Sequence, residues 1–205
     1  MQMNDSKDSY GLISIALHWC VALAVILALI TGTISFIVGR GPLRTDLLNF
    51  HMSVMSIAAP FVLFRLYWRF KHGKPKLPPQ HPVLDKAAAV VWRILIVAIT
   101  LQLLTGPQLA WMHAHPIGII GFAEWPSPWP VMAPETMASI HAVSLVIHAT
   151  IGFSIASLLV LHIGGALNHL IIDRDGVFTR MIRPGARANG PHSAGPRHPG
   201  AIPAE

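Results

Sequence analysis

Four histidines are spaced at multiples of seven in one long apolar segment, at His141, His148, His162 and His169. In an α-helix of about 100° per residue, seven residues return to within roughly 20° of the starting direction, so all four imidazoles would share one face. Ionisable side chains inside a membrane are costly and usually have a bound partner. His148 and His162 would lie roughly 21 Å apart along the helix axis, which is too far for one metal ion. The spacing therefore predicts two separate ligand sites on one helix.

The composition predicts an all-α membrane protein that is a bundle of four transmembrane helices. Of the 205 residues, 53% are hydrophobic and 12% are charged, against about 25% charged in a soluble domain. Four apolar runs are long enough to cross a bilayer; they cover about residues 12–38, 47–70, 87–111 and 137–172. The single cysteine, Cys20, excludes an internal disulfide and a covalent haem attachment. Any haem would therefore be bound non-covalently, as b type.

The distribution of basic residues predicts the orientation in the membrane. Lysines and arginines concentrate between the second and third runs and after the fourth, whereas the connection between the third and fourth has none. The positive-inside rule then places both termini in the cytoplasm. This topology signal accounts for most of the +6 formal charge, so nucleic-acid binding is not predicted. We expect residues 1–183 to form the transmembrane domain and the proline- and glycine-rich residues 184–205 to form a disordered cytoplasmic tail.

Depth along the helices predicts which histidines pair. Haem b in a helical bundle is commonly held by two imidazoles at one depth on facing helices. His18 and His162 both lie roughly 16 Å from the inner boundary. His51 lies roughly 27 Å from it, and the fourth run offers His148 at roughly 37 Å or His141 at roughly 48 Å. The predicted pairs are His18 with His162 and His51 with His148. Polar contacts between helices, or a clustered transition-metal site, are the alternative interpretations of membrane histidines.

The chain resembles the bacterial di-haem cytochrome b561 family, whose members are four-helix haem b proteins of the inner membrane. The similarity covers roughly residues 10–183 and rests on SIALHW, on LLNFHMSVMS leading into FRLYWRF, on the histidine pair of the fourth run, and on LHIGGALNHLIIDRDGVFTRMI. It implies the same four ligands for two haems, a membrane quinone such as ubiquinone and, in part of the family, superoxide as electron donor. Where the family often has a tryptophan before the third ligand, this chain has Ile147. The extra His141 therefore stays an alternative outer ligand.

Other polar residues have two interpretations each. His169 matches a quinone-binding histidine of some family members, and the alternative is an interfacial histidine that faces lipid headgroups. Arg65 and Arg93 are predicted to pair with haem propionates, or else to reach lipid phosphates. Arg40 and Arg44, predicted outside, would attract a small anion such as superoxide, although simple loop solvation explains them equally well.

The predicted function is electron transfer from a donor on the periplasmic side to membrane quinone through two b haems. This would make the protein an oxidoreductase of the bacterial inner membrane, in contact with lipid. An alternative with the same ligands is a haem-bearing anchor subunit that passes electrons between a partner dehydrogenase or reductase and the quinone pool. A metal-ion carrier would bind metal without haem.

Overall fold

The computed structural model describes residues 1–76, 82–112, 117–119 and 123–188. Its helices are α1 (Leu12–Ile37), α2 (Pro42–His72), α3 (Pro82–Trp111) and α4 (Pro134–Asn168). All four are long and apolar enough to cross a membrane, which confirms the predicted four-helix membrane fold. A π-helical turn (His169–Asp173) continues α4, a 3-10 turn (Thr179–Met181) follows it, and the strands β1 (Ile117–Ile119) and β2 (Ala123–Trp125) form a short hairpin between α3 and α4.

Proline marks the start of three of the helices. α2, α3 and α4 begin at Pro42, Pro82 and Pro134. Proline suits the first helical turn because the N–H that it lacks would have no acceptor within the helix. The apolar runs alone predicted later starts for all three helices, because the first turns are polar or mixed and carry little hydrophobic signal.

One end of the bundle is tied together by segments that are distant in sequence. The carboxylate of Asp5 accepts hydrogen bonds from the backbone N–H of Gly11 (2.8 Å) and from the Ser14 hydroxyl (2.6 Å). These bonds hold the segment before α1 against the start of that helix. The N–H of Gly185 donates to the carbonyl of Tyr10 at 2.9 Å. The C-terminal segment therefore returns to the N-terminus, and the predicted tail lies outside the described residues from 189 onward.

A small apolar core fills the centre of the bundle. α1 packs mainly on α2 and α3 mainly on α4, and the two halves meet in the cluster of Val21, Val25, Val62, Leu95, Ala98 and Ile155. The remaining large apolar side chains are mostly exposed, as expected of helices whose outer faces contact lipid. Ile155 is only 2% exposed and lies midway in sequence between His148 and His162. The core therefore separates the two histidine levels.

The β1–β2 hairpin packs against α2 and was not predicted from the sequence. Its strands are antiparallel, with Ile117 opposite Trp125. Ile117 is 3% exposed, and the hydroxyl of Ser53 donates to the carbonyl of Gly118 at 3.0 Å. Since Ser53 lies two residues from His51, the hairpin covers the end of the bundle that carries His51.

Candidate functional site

The four histidines predicted as ligands lie in two facing pairs. The ring centres of His18 and His162 are 6.3 Å apart, and those of His51 and His148 are 6.2 Å apart. Two imidazoles on opposite sides of one iron, with metal–nitrogen bonds of about 2.0–2.1 Å, would have ring centres about 6.3 Å apart. Both separations fit this arrangement. The structure places His148, and not His141, opposite His51.

His51, on α2, is positioned by the backbone of α1. Its Nδ1 lies 2.9 Å from the carbonyl oxygen of Ala28. A carbonyl only accepts, so Nδ1 carries the hydrogen and Nε2 keeps the lone pair that a metal needs. A Cβ atom at Gly32 would lie 3.2 Å from this ring. The glycine therefore allows the imidazole to lie directly against α1.

His148, on α4, is positioned by α3. Its Nδ1 lies 2.9 Å from the hydroxyl oxygen of Thr105, and a Cβ atom at Gly106 would lie 3.3 Å from its Cε1. The outer pair thus lies on α2 and α4, while α1 and α3 provide the oxygen atoms and glycines that contact the two rings. Because α3 carries no predicted ligand, sequence reasoning missed Thr105.

The inner pair has a cation as its nearest polar neighbour. Nη2 of Arg65 lies 3.1 Å from Nδ1 of His18. A guanidinium can only donate, so Nδ1 accepts and the ring hydrogen lies on Nε2. Binding iron through Nε2 would require that hydrogen to leave, or Arg65 to turn towards another acceptor. Arg65 was predicted to meet a propionate, and in the structure it contacts the candidate ligand itself.

The structure brings the two predicted arginine partners to different places. Arg93 has an exposed side chain on α3. It lines a cavity of about 380 Å³ between α3 and α4, together with Ile151 and Ser154. This position is separate from the Arg65–His18 contact, and the propionate role of Arg93 stays a prediction.

Arg180 is a buried arginine at the inner end that the sequence did not single out. It is 1% exposed, and its Nη1 donates to the carbonyl of Lys76 at 3.1 Å. Its Nε and Nη2 have no hydrogen-bond partner within the described part of the chain. The guanidinium carbons of Arg180 and Arg69 lie 5.3 Å and 5.1 Å from the ring centre of Tyr10. A buried guanidinium with unused donors fits an anionic group such as a propionate.

His169 is held by carboxylates at the end of α4. Its Nδ1 lies 2.8 Å from Oδ2 of Asp175 and 3.4 Å from Oδ2 of Asp173. The Asp175 side chain is 2% exposed, and its Oδ1 accepts the N–H of Val177 at 2.9 Å. His169 is also the first residue of the π-helical turn. Such a turn is a local widening of the helix that is frequent at functional sites. Sequence reasoning identified His169 but missed Asp175 as its partner.

Comparison with known proteins identifies the family of the chain. The sequence pattern of the prokaryotic cytochrome b561 family matches residues 9–184. Cytochrome b561 homolog 2 of Escherichia coli (strain K12) is 24% identical over 190 residues, which cover 89% of this chain and 95% of that protein. The match spans all four helices and both histidine pairs. The chain therefore belongs to the prokaryotic cytochrome b561 family and is a multi-pass membrane protein of haem b electron transfer.

Proposed function

We propose that this protein binds two b-type haems, one between His18 and His162 and one between His51 and His148, and transfers electrons between the two sides of the membrane. The observation that carries the proposal is the presence of two imidazole pairs with ring centres 6.3 Å and 6.2 Å apart. One such pair alone would also be explained by a polar contact between two membrane helices. Two pairs with the same separation, at two levels of one bundle, are typical of a di-haem protein.

Haem b at each pair would supply a reversible one-electron Fe(III)/Fe(II) couple. The side chains of this protein would hold and orient it. At the outer pair, Nδ1–H of His51 and Nδ1 of His148 are engaged by oxygen atoms, which fixes the ring orientations. At the inner end, Arg65 and Arg180 offer guanidinium N–H groups that suit propionate carboxylates.

The apolar core lies between the two histidine pairs. Val25, Val62 and Ile155 belong to this cluster, and none of its side chains can relay a proton. The layer therefore favours electron transfer through the centre of the bundle while protons are exchanged at the ends. Proton exchange requires polar groups near the surface, which the inner end supplies.

We assign membrane quinone, of the ubiquinone type, as the acceptor at the inner end, with His169 as the candidate catalytic residue. Reduction of a quinone to a quinol takes two electrons and two protons. An imidazole can hydrogen-bond a quinone carbonyl and pass it a proton. The carboxylate of Asp175 engages Nδ1 of His169 at 2.8 Å, so the ring is oriented and its other nitrogen is the one that would meet the quinone.

We propose superoxide as the donor to test first at the outer end. Each superoxide that gives up one electron leaves as O₂, so two superoxide ions supply the two electrons of one quinol. Arg40 lies between α1 and α2, and Arg44 lies in the first turn of α2; both would raise the encounter rate of a small anion. The proposed setting is the bacterial inner membrane with both termini in the cytoplasm, as the basic residues predict.

The test is haem content in variants of the outer pair. We expect detergent-purified wild-type protein to hold two low-spin b haems, and His51→Leu and His148→Leu each to hold one. His141→Leu is the matched control, because it removes the competing histidine of the same helix face, and we expect it to retain two haems. Two haems in both ligand variants, or loss of a haem only in the His141 variant, would refute the ligand assignment.

The isolated protein also separates the two functional interpretations. Oxidation of superoxide with reduction of an added ubiquinone analogue would support the enzyme. A stoichiometric soluble subunit that co-purifies, together with inactivity of the isolated chain towards superoxide, would instead support the anchor-subunit interpretation. The metal-carrier interpretation requires bound metal without a haem absorbance.

A further inference from the structure

The hydroxyl of Thr105, on α3, contacts His148, the α4 histidine of the outer pair. Thr105 Oγ1 and His148 Nδ1 are 2.9 Å apart. The same oxygen lies 3.2 Å from the carbonyl oxygen of Leu101, one turn earlier in α3. A threonine hydroxyl has one hydrogen and two lone pairs. When it donates to Leu101, as threonines in helices often do, it accepts from Nδ1–H of His148.

The side chain of Gln102 also contacts this site, and its Oε1 lies 3.3 Å from the Thr105 hydroxyl. Its amide nitrogen Nε2 lies 3.5 Å from Nε2 of His148, at the long limit of a hydrogen bond. With the amide in this orientation, its nitrogen faces a lone pair on His148 Nε2. Both contacts thus favour one tautomer, with the hydrogen on Nδ1 and the lone pair on Nε2. That tautomer can bind a metal through Nε2.

We propose that Thr105 is a positioning residue of the outer haem site, which fixes the tautomer of His148 and strengthens its donation to iron. The inference rests on the proposed ligand role of His148. An acceptor on the distal ring N–H raises the basicity of a ligand imidazole, and a more basic ligand stabilises Fe(III) relative to Fe(II). The hydroxyl therefore lowers the reduction potential of the outer site.

Thr105 can be tested by substitution, whereas the group that contacts Nδ1 of His51 cannot be removed. The acceptor for His51 is the backbone carbonyl of Ala28, which every substitution retains. The acceptor for His148 is a side chain. The ring of His148 also lies against Gly106, so the hydroxyl is aligned by helix packing as well as by its own hydrogen bond.

Thr105→Val is the primary test because it replaces the hydroxyl by a methyl group at nearly constant volume. Thr105→Ser keeps the hydroxyl. Thr100→Val is the matched control, since Thr100 lies on the same helix and its hydroxyl donates to the carbonyl of Ile96 at 2.8 Å. The readout is a spectroelectrochemical titration of detergent-purified holoprotein, with haem content measured on the same samples.

We expect Thr105→Val to shift the reduction equilibrium of one haem three- to tenfold towards Fe(II), where tenfold corresponds to about 59 mV. The haem potentials of Thr105→Ser and Thr100→Val should equal those of wild type. In Thr105→Val the reduction potential of the second haem should not change. Loss of the outer haem in the valine variant alone would also support the role. If the valine variant does not purify, Thr105→Ala makes the same comparison without adding a methyl group.

Two failures are distinguishable. If all three variants hold two haems and Thr105→Val titrates like wild type, the inference about Thr105 is wrong and the ligand assignment stands. If His148→Leu keeps both haems, the ligand assignment itself is wrong, whatever the threonine variants show. A shift of equal size in Thr100→Val would also overturn the inference, because it would mean that any lost hydroxyl on α3 has the same effect.

Discussion

The contact between Arg65 and His18 places a positive charge beside the proposed inner haem, and its removal should lower one reduction potential. The perturbation is Arg65→Gln, which removes the charge and retains a polar side chain. In the wild-type structure Nη2 of Arg65 lies 3.1 Å from that nitrogen. A cation at this position favours the added electron of Fe(II), so we expect the wild-type inner haem to have the higher potential of the two.

The magnitude follows from Coulomb's law. Iron bound at Nε2 would lie about 4 Å beyond Nδ1, given a metal–nitrogen bond of about 2 Å. If Arg65 turns its N–H groups to another acceptor but its charge stays beside the ring, as at 3.1 Å in the structure, the charge-to-iron distance is about 7 Å. At an effective dielectric constant of about 20 the interaction is about 2.4 kcal/mol. One electron converts about 1.4 kcal/mol into about 59 mV, which gives a shift of about 100 mV. Doubling the dielectric constant for a half-buried side chain halves it to about 50 mV.

The assay is a spectroelectrochemical titration of wild type and variant with both haems bound. Arg44→Gln is the matched control, because Arg44 lies near the opposite end of α2, roughly 31 Å from Arg65 along the helix. This separation exceeds the Debye length of about 8 Å several times. The reasoning is refuted if Arg65→Gln leaves both potentials within 10 mV of wild type (roughly a tenth of the expected shift), or if the haem lost in His148→Leu is the one that shifts.

Two further variants probe the outer and inner ends. Gly32→Ala puts a methyl group 3.2 Å from the ring of His51 and should reduce outer haem occupancy. Gly164→Ala has open space at its Cβ and should keep two haems, and equal occupancy in both would contradict the packing argument. Asp175→Asn should slow quinone reduction by up to about 100-fold, because His169 loses the carboxylate that orients it for proton transfer, with haem content and potentials unchanged. A wild-type rate in stopped-flow assays would remove Asp175 from the proposed proton path.

The helices and the depths of the histidines could be predicted from the sequence, because both depend on local periodicity. Apolar runs of about 20 residues specify membrane crossings, and 1.5 Å per residue converts position into depth. The estimated depths favour His148 over His141 as the residue opposite His51, and in the structure the ring centres of His51 and His148 are 6.2 Å apart. The helix starts at Pro42 and Pro82 were missed, since proline and polar residues of a first turn carry no hydrophobic signal.

The neighbours of the histidines could not be predicted, because depth does not specify how a helix is rotated about its axis. The contact of Arg65 with Nδ1 of His18 depends on the rotation of α2 and was not predicted; the pairing of Arg65 with a propionate stays a prediction. Thr105 went unnoticed because α3 carries no histidine at that level. Arg180 follows the last helix, and its burial depends on the carbonyl of Lys76 and the ring of Tyr10, which only the folded chain brings together.

The unequal surroundings of the two histidine pairs suggest how the protein would direct electrons. At the outer pair, Nδ1 atoms of His51 and His148 meet oxygen atoms, which favours Fe(III) there. At the inner pair, Nδ1 of His18 meets a guanidinium, which favours Fe(II). Each effect raises the inner potential relative to the outer one. If both pairs hold haem as proposed, these single side chains and carbonyls would give electron transfer a preferred direction, from the outer pair towards the end that carries His169.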